Sequence, residues 1–137
     1  MKKIYVVVSG EYSDFGINAI FTTKELAELY ISAFSQKDRY EELIIQEWNI
    51  DPYELELKQN RKPFRIIMDK EGNTINIDYE TSDFSLMPER LIEFQWGTKN
   101  MICRCFADNK KHAVKIANEK RVQILAINKW GESKLNI

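Results

Sequence analysis

Cys103, Cys105 and His112 are the residues of this chain whose types and spacing could do chemistry. A helix is expected to start just after Asp108, and a thiol close before a helix N-terminus has its pKa lowered by the dipole. Cys105 would occupy that position. His112, in the helix's first turn or so, would be the general base for it, because the chain has one histidine. For zinc the same three groups fall one short of the closed four-ligand set. The plainer reading is preferred: C-x-C in an extended strand puts both thiols on one side, as small core hydrophobes, too close in sequence for an ordinary disulfide. No catalytic residue, no metal ligand and no cofactor is assigned, and the chain is read as a non-enzyme.

Binding residues are sought instead where contact chemistry is concentrated. Between Gly10 and Gly16 lie Glu11, Tyr12, Ser13, Asp14 and Phe15. Two aromatics and two carboxylates on a short connection suit recognition, since aromatics offer rigid contact area and acids offer polarity. The competing reading has Tyr12 or Phe15 folding back over the core, with Ser13 and Asp14 making the turn. Glu11, Tyr12, Asp14 and Phe15 are the first candidates. The acidic stretch Asp78, Glu80 and Asp83 is the second.

Charge is segregated along the sequence. Residues 38–56 carry seven acids and one arginine, and residues 69–93 carry seven acids against Lys70 and Arg90. Residues 99–121 carry seven bases and two acids. A basic helix with Lys110, Lys111, Lys115, Lys120 and Arg121 could meet the phosphate of a small nucleotide. More often such runs are solvated faces. The formal net charge is −1, so no global field steers the chain onto nucleic acid or an anionic membrane. Five scattered glycines form neither a phosphate-cradling loop nor a dinucleotide fingerprint. No apolar run is long enough for a membrane span or a signal peptide, and a cytoplasmic location is expected.

The elements that would carry these residues follow from periodicity. Residues 2–9 read as a strand with both faces covered, and residues 17–21 alternate as its hairpin partner. Thr22 or Thr23 starts a helix, with Thr22 and Glu25 at capping-box spacing and Leu26, Ala27, Tyr30, Ile31 and Phe34 on one stripe. Residues 40–50 read as a strand up to the Asp51-Pro52 break. Tyr53 to Gln59 alternates like a strand. Residues 64–68 and 74–79 flank DKEGN, a hairpin turn, and residues 91–96 and 101–106 flank GTKN, another. Residues 80–89 are expected to be loop, residues after Asp108 a helix ending near Ile127, and the tail after Lys129 loose.

The opening K-K-I-Y-V-V-V-S-G-E-Y-S-D, with I-F-T-T-K-E-L-A-E-L-Y-I after it, resembles the start of small phage and Firmicute proteins that carry a domain of unknown function. The resemblance covers about the first 34 residues. It implies a small α+β domain in a phage or mobile-element setting and supplies no catalytic residues. The expected fold is therefore α+β in a single domain of 137 residues: mainly antiparallel sheet with two helices on one face. Its order is compatible with two β-β-α units, 1–37 and 88–128, around a middle segment 40–80, with Phe21 matching Phe106 and Ala27 matching Ala113. The expected function is binding of a host protein, defence or regulatory, so as to inhibit or sequester it. The alternative is capture of a small nucleotide signal, and a homo-oligomer is compatible with either.

Overall fold

The computed structural model of the chain describes residues 2–35, 42–84 and 88–133. It divides into two compact units, residues 1–52 and 53–137. The α+β class and the antiparallel pairing are both present, with the strands distributed over two sheets.

The first unit contains β1 (Lys3–Ser9), β2 (Gly16–Phe21), α1 (Lys24–Phe34) and β3 (Ile44–Asn49), in the sheet order β2-β1-β3. β-branched runs put β1 at the centre, where Val6, Val7 and Val8 are all buried. α1 lays part of its stripe on one face: Ala27 is buried against Val7, and Tyr30 and Ile31 close over Tyr5, Ala19 and Phe21, whereas Leu26 and Phe34, expected on the same stripe, are exposed. A residue as small as Ala27 lets helix and sheet approach closely. The cap is Thr23, whose hydroxyl accepts the Leu26 N–H at 3.3 Å; with leucine at the third helical position, the expected reciprocal box of Thr22 and Glu25 does not form. Residues 36–41, which include the start of the strand expected at 40–50, lie outside the described residues.

The second unit opens with α2 (Glu54–Lys58), followed by β4 (Lys62–Met68), β5 (Thr74–Tyr79), β6 (Ile92–Phe94), β7 (Met101–Ala107) and α3 (Lys110–Ala126), in the sheet order β5-β4-β7-β6. The period-two pattern of Tyr53 to Gln59 misled: these residues form a helical turn, with Leu55 and Leu57 exposed. The left-handed backbone of Tyr53, directly after Pro52, starts the turn, and Lys58 bonds Glu54 at 2.8 Å one turn back. α3 covers one face of the sheet, with Ala113, Ala117 and Ile124 buried against Phe64, Ile66, Met68, Met101 and Cys103. Its cap is Asn109, which accepts the His112 N–H at 2.9 Å; Asp108, the residue before it, pairs with Arg61 at 3.1 Å.

Two β-β-α runs therefore exist, β1-β2-α1 and β6-β7-α3, and Ala27 and Ala113 are both buried helix residues. Phe21 and Phe106 are not equivalent. Phe21 meets Tyr30 of α1 in a tilted contact at 5.4 Å, whereas Phe106 lies on the sheet face away from α3, clustered with Tyr53 and Phe84 at 4.5 and 5.6 Å. The expected loop at 80–89 is accordingly not loose throughout. Phe84 is buried, and Pro88–Arg90 form a 3-10 turn, with residues 85–87 outside the described set. The start of the tail is anchored too: Trp130 donates to the Lys99 carbonyl at 2.9 Å and meets Phe94 edge-on at 5.0 Å, while residues 134–137 lie outside the described residues.

Candidate functional site

The turn between β1 and β2 is built by its small and acidic residues. Gly10 has φ +82°, and a Cβ there would sit 2.4 Å from the Asp14 carbonyl oxygen, so both backbone and space demand glycine. Asp14 Oδ1 accepts the backbone N–H of Glu11 and of Tyr12, each at 3.3 Å, and Phe15 N–H donates to the Tyr12 carbonyl at 3.1 Å. Asn18 ties the hairpin from below, its amide donating to Ser9 Oγ at 2.9 Å. Asp14 thus shapes the turn from within. The two aromatics do not fold back. Tyr12 is 86% exposed and Phe15 is 45% exposed. Glu11 is exposed beside them. The result is a preformed tip that presents a phenol, a phenyl ring and a carboxylate, which is contact chemistry with no internal duty.

The acidic stretch is not one patch. Asp78 is exposed on β5, where its carboxylate accepts the Asn76 amide at 3.0 Å. Asp83 accepts the Tyr53 hydroxyl at 3.0 Å. Glu80 is a structural residue: Oε2 accepts Arg104 Nε at 2.7 Å, and Oε1 caps the N–H groups of Thr81 and Ser82 and the Ser82 hydroxyl. Burial pushes its carboxyl pKa up, but the Ser82 bonds and the Arg104 guanidinium outweigh that and hold it below the ordinary value. Arg104 also reaches Glu93 and the Arg90 carbonyl, both at 2.6 Å. Its side chain is 5% exposed and that of Glu80 is 7% exposed, so this is a buried ion network that fastens the segment after β5 to the sheet.

The thiols lie in the β7 strand on the face toward α3, as the spacing indicated. Cys103 is buried; its hydrogen bond with Cys105, together with burial, pushes its thiol pKa well up. Cys105 is half-buried, and the same bond draws its thiol pKa down. His112 is engaged elsewhere, since Nδ1 accepts the Asp108 N–H at 3.0 Å. Among the described residues no hydrogen bond joins it to Cys105, and no three His, Cys, Asp or Glu side chains cluster as metal ligands. On α3, Arg121 is spent on the β4–β5 turn: it donates to the Lys70 carbonyl at 2.9 Å and rests on Gly72. Lys110, Lys111 and Lys115 are exposed.

One exposed aromatic escaped the sequence reading. Trp96, in the turn between β6 and β7, is 96% exposed. The turn around it is well fastened, with Lys99 N–H bonded to the Gln95 carbonyl at 3.0 Å and Gln95 N–H to the Asn100 carbonyl at 2.8 Å. Its position at the end of an apolar alternation, directly before Gly97, was the available signal: side chains at a turn have no neighbouring strand to lie against.

A family described as Domain of unknown function (DUF7336) matches residues 2–58, from β1 through α2. The match agrees with the expectation of an N-terminal domain of unknown function and reaches beyond the first helix, across β3. No curated protein and no solved structure matches the chain. No described helix is long and apolar enough to cross a membrane.

Proposed function

We propose that the chain acts by binding, without chemistry of its own, and that its target is a host protein, a defence or regulatory factor, which it inhibits or sequesters in a phage or mobile-element setting. The observation that carries this reading is the β1–β2 tip. Tyr12 projects almost wholly into solvent from a turn held by Gly10 and Asp14, so its rigidity is already paid for before any partner arrives. Tyrosine at such a place contributes nothing to the core and is among the side chains most often dominant in interfaces. Glu11 beside it favours a partner whose apolar pocket has a basic rim. The occupied partners of His112 and the dispersed charges elsewhere favour binding over catalysis.

The test compares wild type with Tyr12→Ala and Phe15→Ala in quantitative affinity capture from the host in which the gene resides. The captured host protein should be lost, or bound at least roughly tenfold more weakly, from variants whose melting temperature is unchanged, since a hot-spot truncation costs about 2 kcal/mol. Equal capture by wild type and both variants would remove the tip from the interface.

A further inference from the structure

We propose that two copies of this chain associate through the outer edge of β3, joining their three-stranded sheets into one of six strands by an antiparallel β3–β3 pairing about a two-fold axis at Gln46. This stands apart from the binding tip and needs no partner protein.

The two edges of the first sheet differ. β2 is interrupted, because its register against β1 shifts at Asn18, and a bulge is one of the devices that blunt an edge. β3 runs beside β1 in unbroken register from Ile44 against Val8 to Asn49 against Lys3. Ile50 N–H donates to the Lys2 carbonyl at 2.9 Å, which fixes the phase of the ladder. Residues 44, 46 and 48 turn their backbone groups toward β1. Ile45, Glu47 and Asn49 turn theirs outward, where no strand lies among the described residues. The edge carries neither proline nor lysine, and no bulge.

Self-pairing about Gln46 uses those outward groups. Ile45 of one copy and Glu47 of the other become hydrogen-bonded pairs, and the two Gln46 side chains meet at the axis as a close, non-bonded pair. On the face opposite α1, Ile44 falls against Trp48 of the second copy, twice. Ile44 is 52% exposed and Trp48 is 37% exposed, and a β-branched residue opposite an aromatic is a favourable cross-strand pair. Gln46 already accepts the Trp48 indole N–H at 3.0 Å, which leaves its amide hydrogens for the axis. Charge selects the register. Glu47 is the one ionised residue of β3, bonded by Lys3 at 2.8 Å on the neighbouring strand, and about Gln46 it faces isoleucine. A two-fold axis at Glu47 would oppose two carboxylates, and one at Ile45 would set Trp48 against Glu42. Of the axes at Ile45, Gln46 and Glu47, the Gln46 one satisfies both faces, and its closure as a dimer follows from the two-fold axis.

Sedimentation equilibrium of the full chain over a concentration series should give twice the chain mass for wild type. Gln46→Glu and Gln46→Lys, each placing like charges at the axis, should sediment as monomers, and an equimolar mixture of the two should recover the doubled mass. A wild type that stays monomeric across the series, or a dimer mass that survives both substitutions, overturns the proposal. Hydrogen exchange on wild type tests it without any substitution. The Ile45 and Glu47 amides should gain protection as concentration rises while the outer amides of β5 do not. Exchange at Ile45 and Glu47 that is independent of concentration also overturns it.

Discussion

Replacing Arg104 by methionine probes the buried network most directly. The change keeps a long side chain in the sheet and removes three charge-assisted bonds, to Glu80 at 2.7 Å and to Glu93 and the Arg90 carbonyl at 2.6 Å. It leaves the Glu80 carboxylate, 7% exposed, without its cation. Breaking a buried pair from one side costs about 3–5 kcal/mol, because the remaining charge is uncompensated. Glu80 keeps its Ser82 bonds, which places the expected loss toward the lower end. In a Trp48→Phe background, tryptophan fluorescence reports Trp96 and Trp130 alone, and hence the second unit. With a urea slope of about 1–2 kcal/mol per molar, the unfolding midpoint should fall by roughly 2 M. Acid titration adds a second readout. The Glu80 pKa is lowered by folding, so its contribution is present above its ordinary value of 4.5 and is lost as pH falls through the lower folded value. Without Arg104 that lowering shrinks, and the acid limb should flatten. A loss below about 1 kcal/mol, the range of a solvent-exposed pair, would refute the assignment of a buried, committed network.

Gly10→Ala combines a left-handed backbone with a Cβ pressed on the Asp14 carbonyl, and should cost about 1–3 kcal/mol in thermal or urea unfolding. The same variant should weaken capture of the host partner, because the turn that presents Tyr12 must rearrange. Asn109→Ala removes the α3 cap and should cost about 1 kcal/mol, whereas Asp108→Ala, which loses a partly exposed pair with Arg61, should cost less; equal losses would contradict the assigned cap.

How much was legible in advance depended on whether a signal was local. The hairpin turn at Gly72 was readable because its positive φ, +95°, is a property of the turn itself, and the long final helix because its apolar positions recur over several turns. Which residue caps each helix was not legible, since threonines at 22 and 23, and Asp108 and Asn109, are chemically interchangeable until the first helical residue is known. The alternation of Tyr53 to Gln59 misleads because so short a run does not separate a period of two from a helical turn, here residues 54–58.

The binding candidates divide in the same way. The Gly10-to-Gly16 connection could be recognised from composition, yet only the folded turn shows Asp14 directed inward at backbone amides and Tyr12 directed away. Glu80 looked like its neighbours Asp78 and Asp83 until β7 delivered Arg104 from 24 residues along the chain. By itself the sequence determined the α+β class, the hairpins, the long helices and the absence of a phosphate-loop motif, all of which rest on short-range periodicity and residue type. Tertiary structure decided which charges are spent, which aromatics remain outside, and which sheet edge is flat. Those properties depend on partners distant in sequence, whose approach no local pattern records.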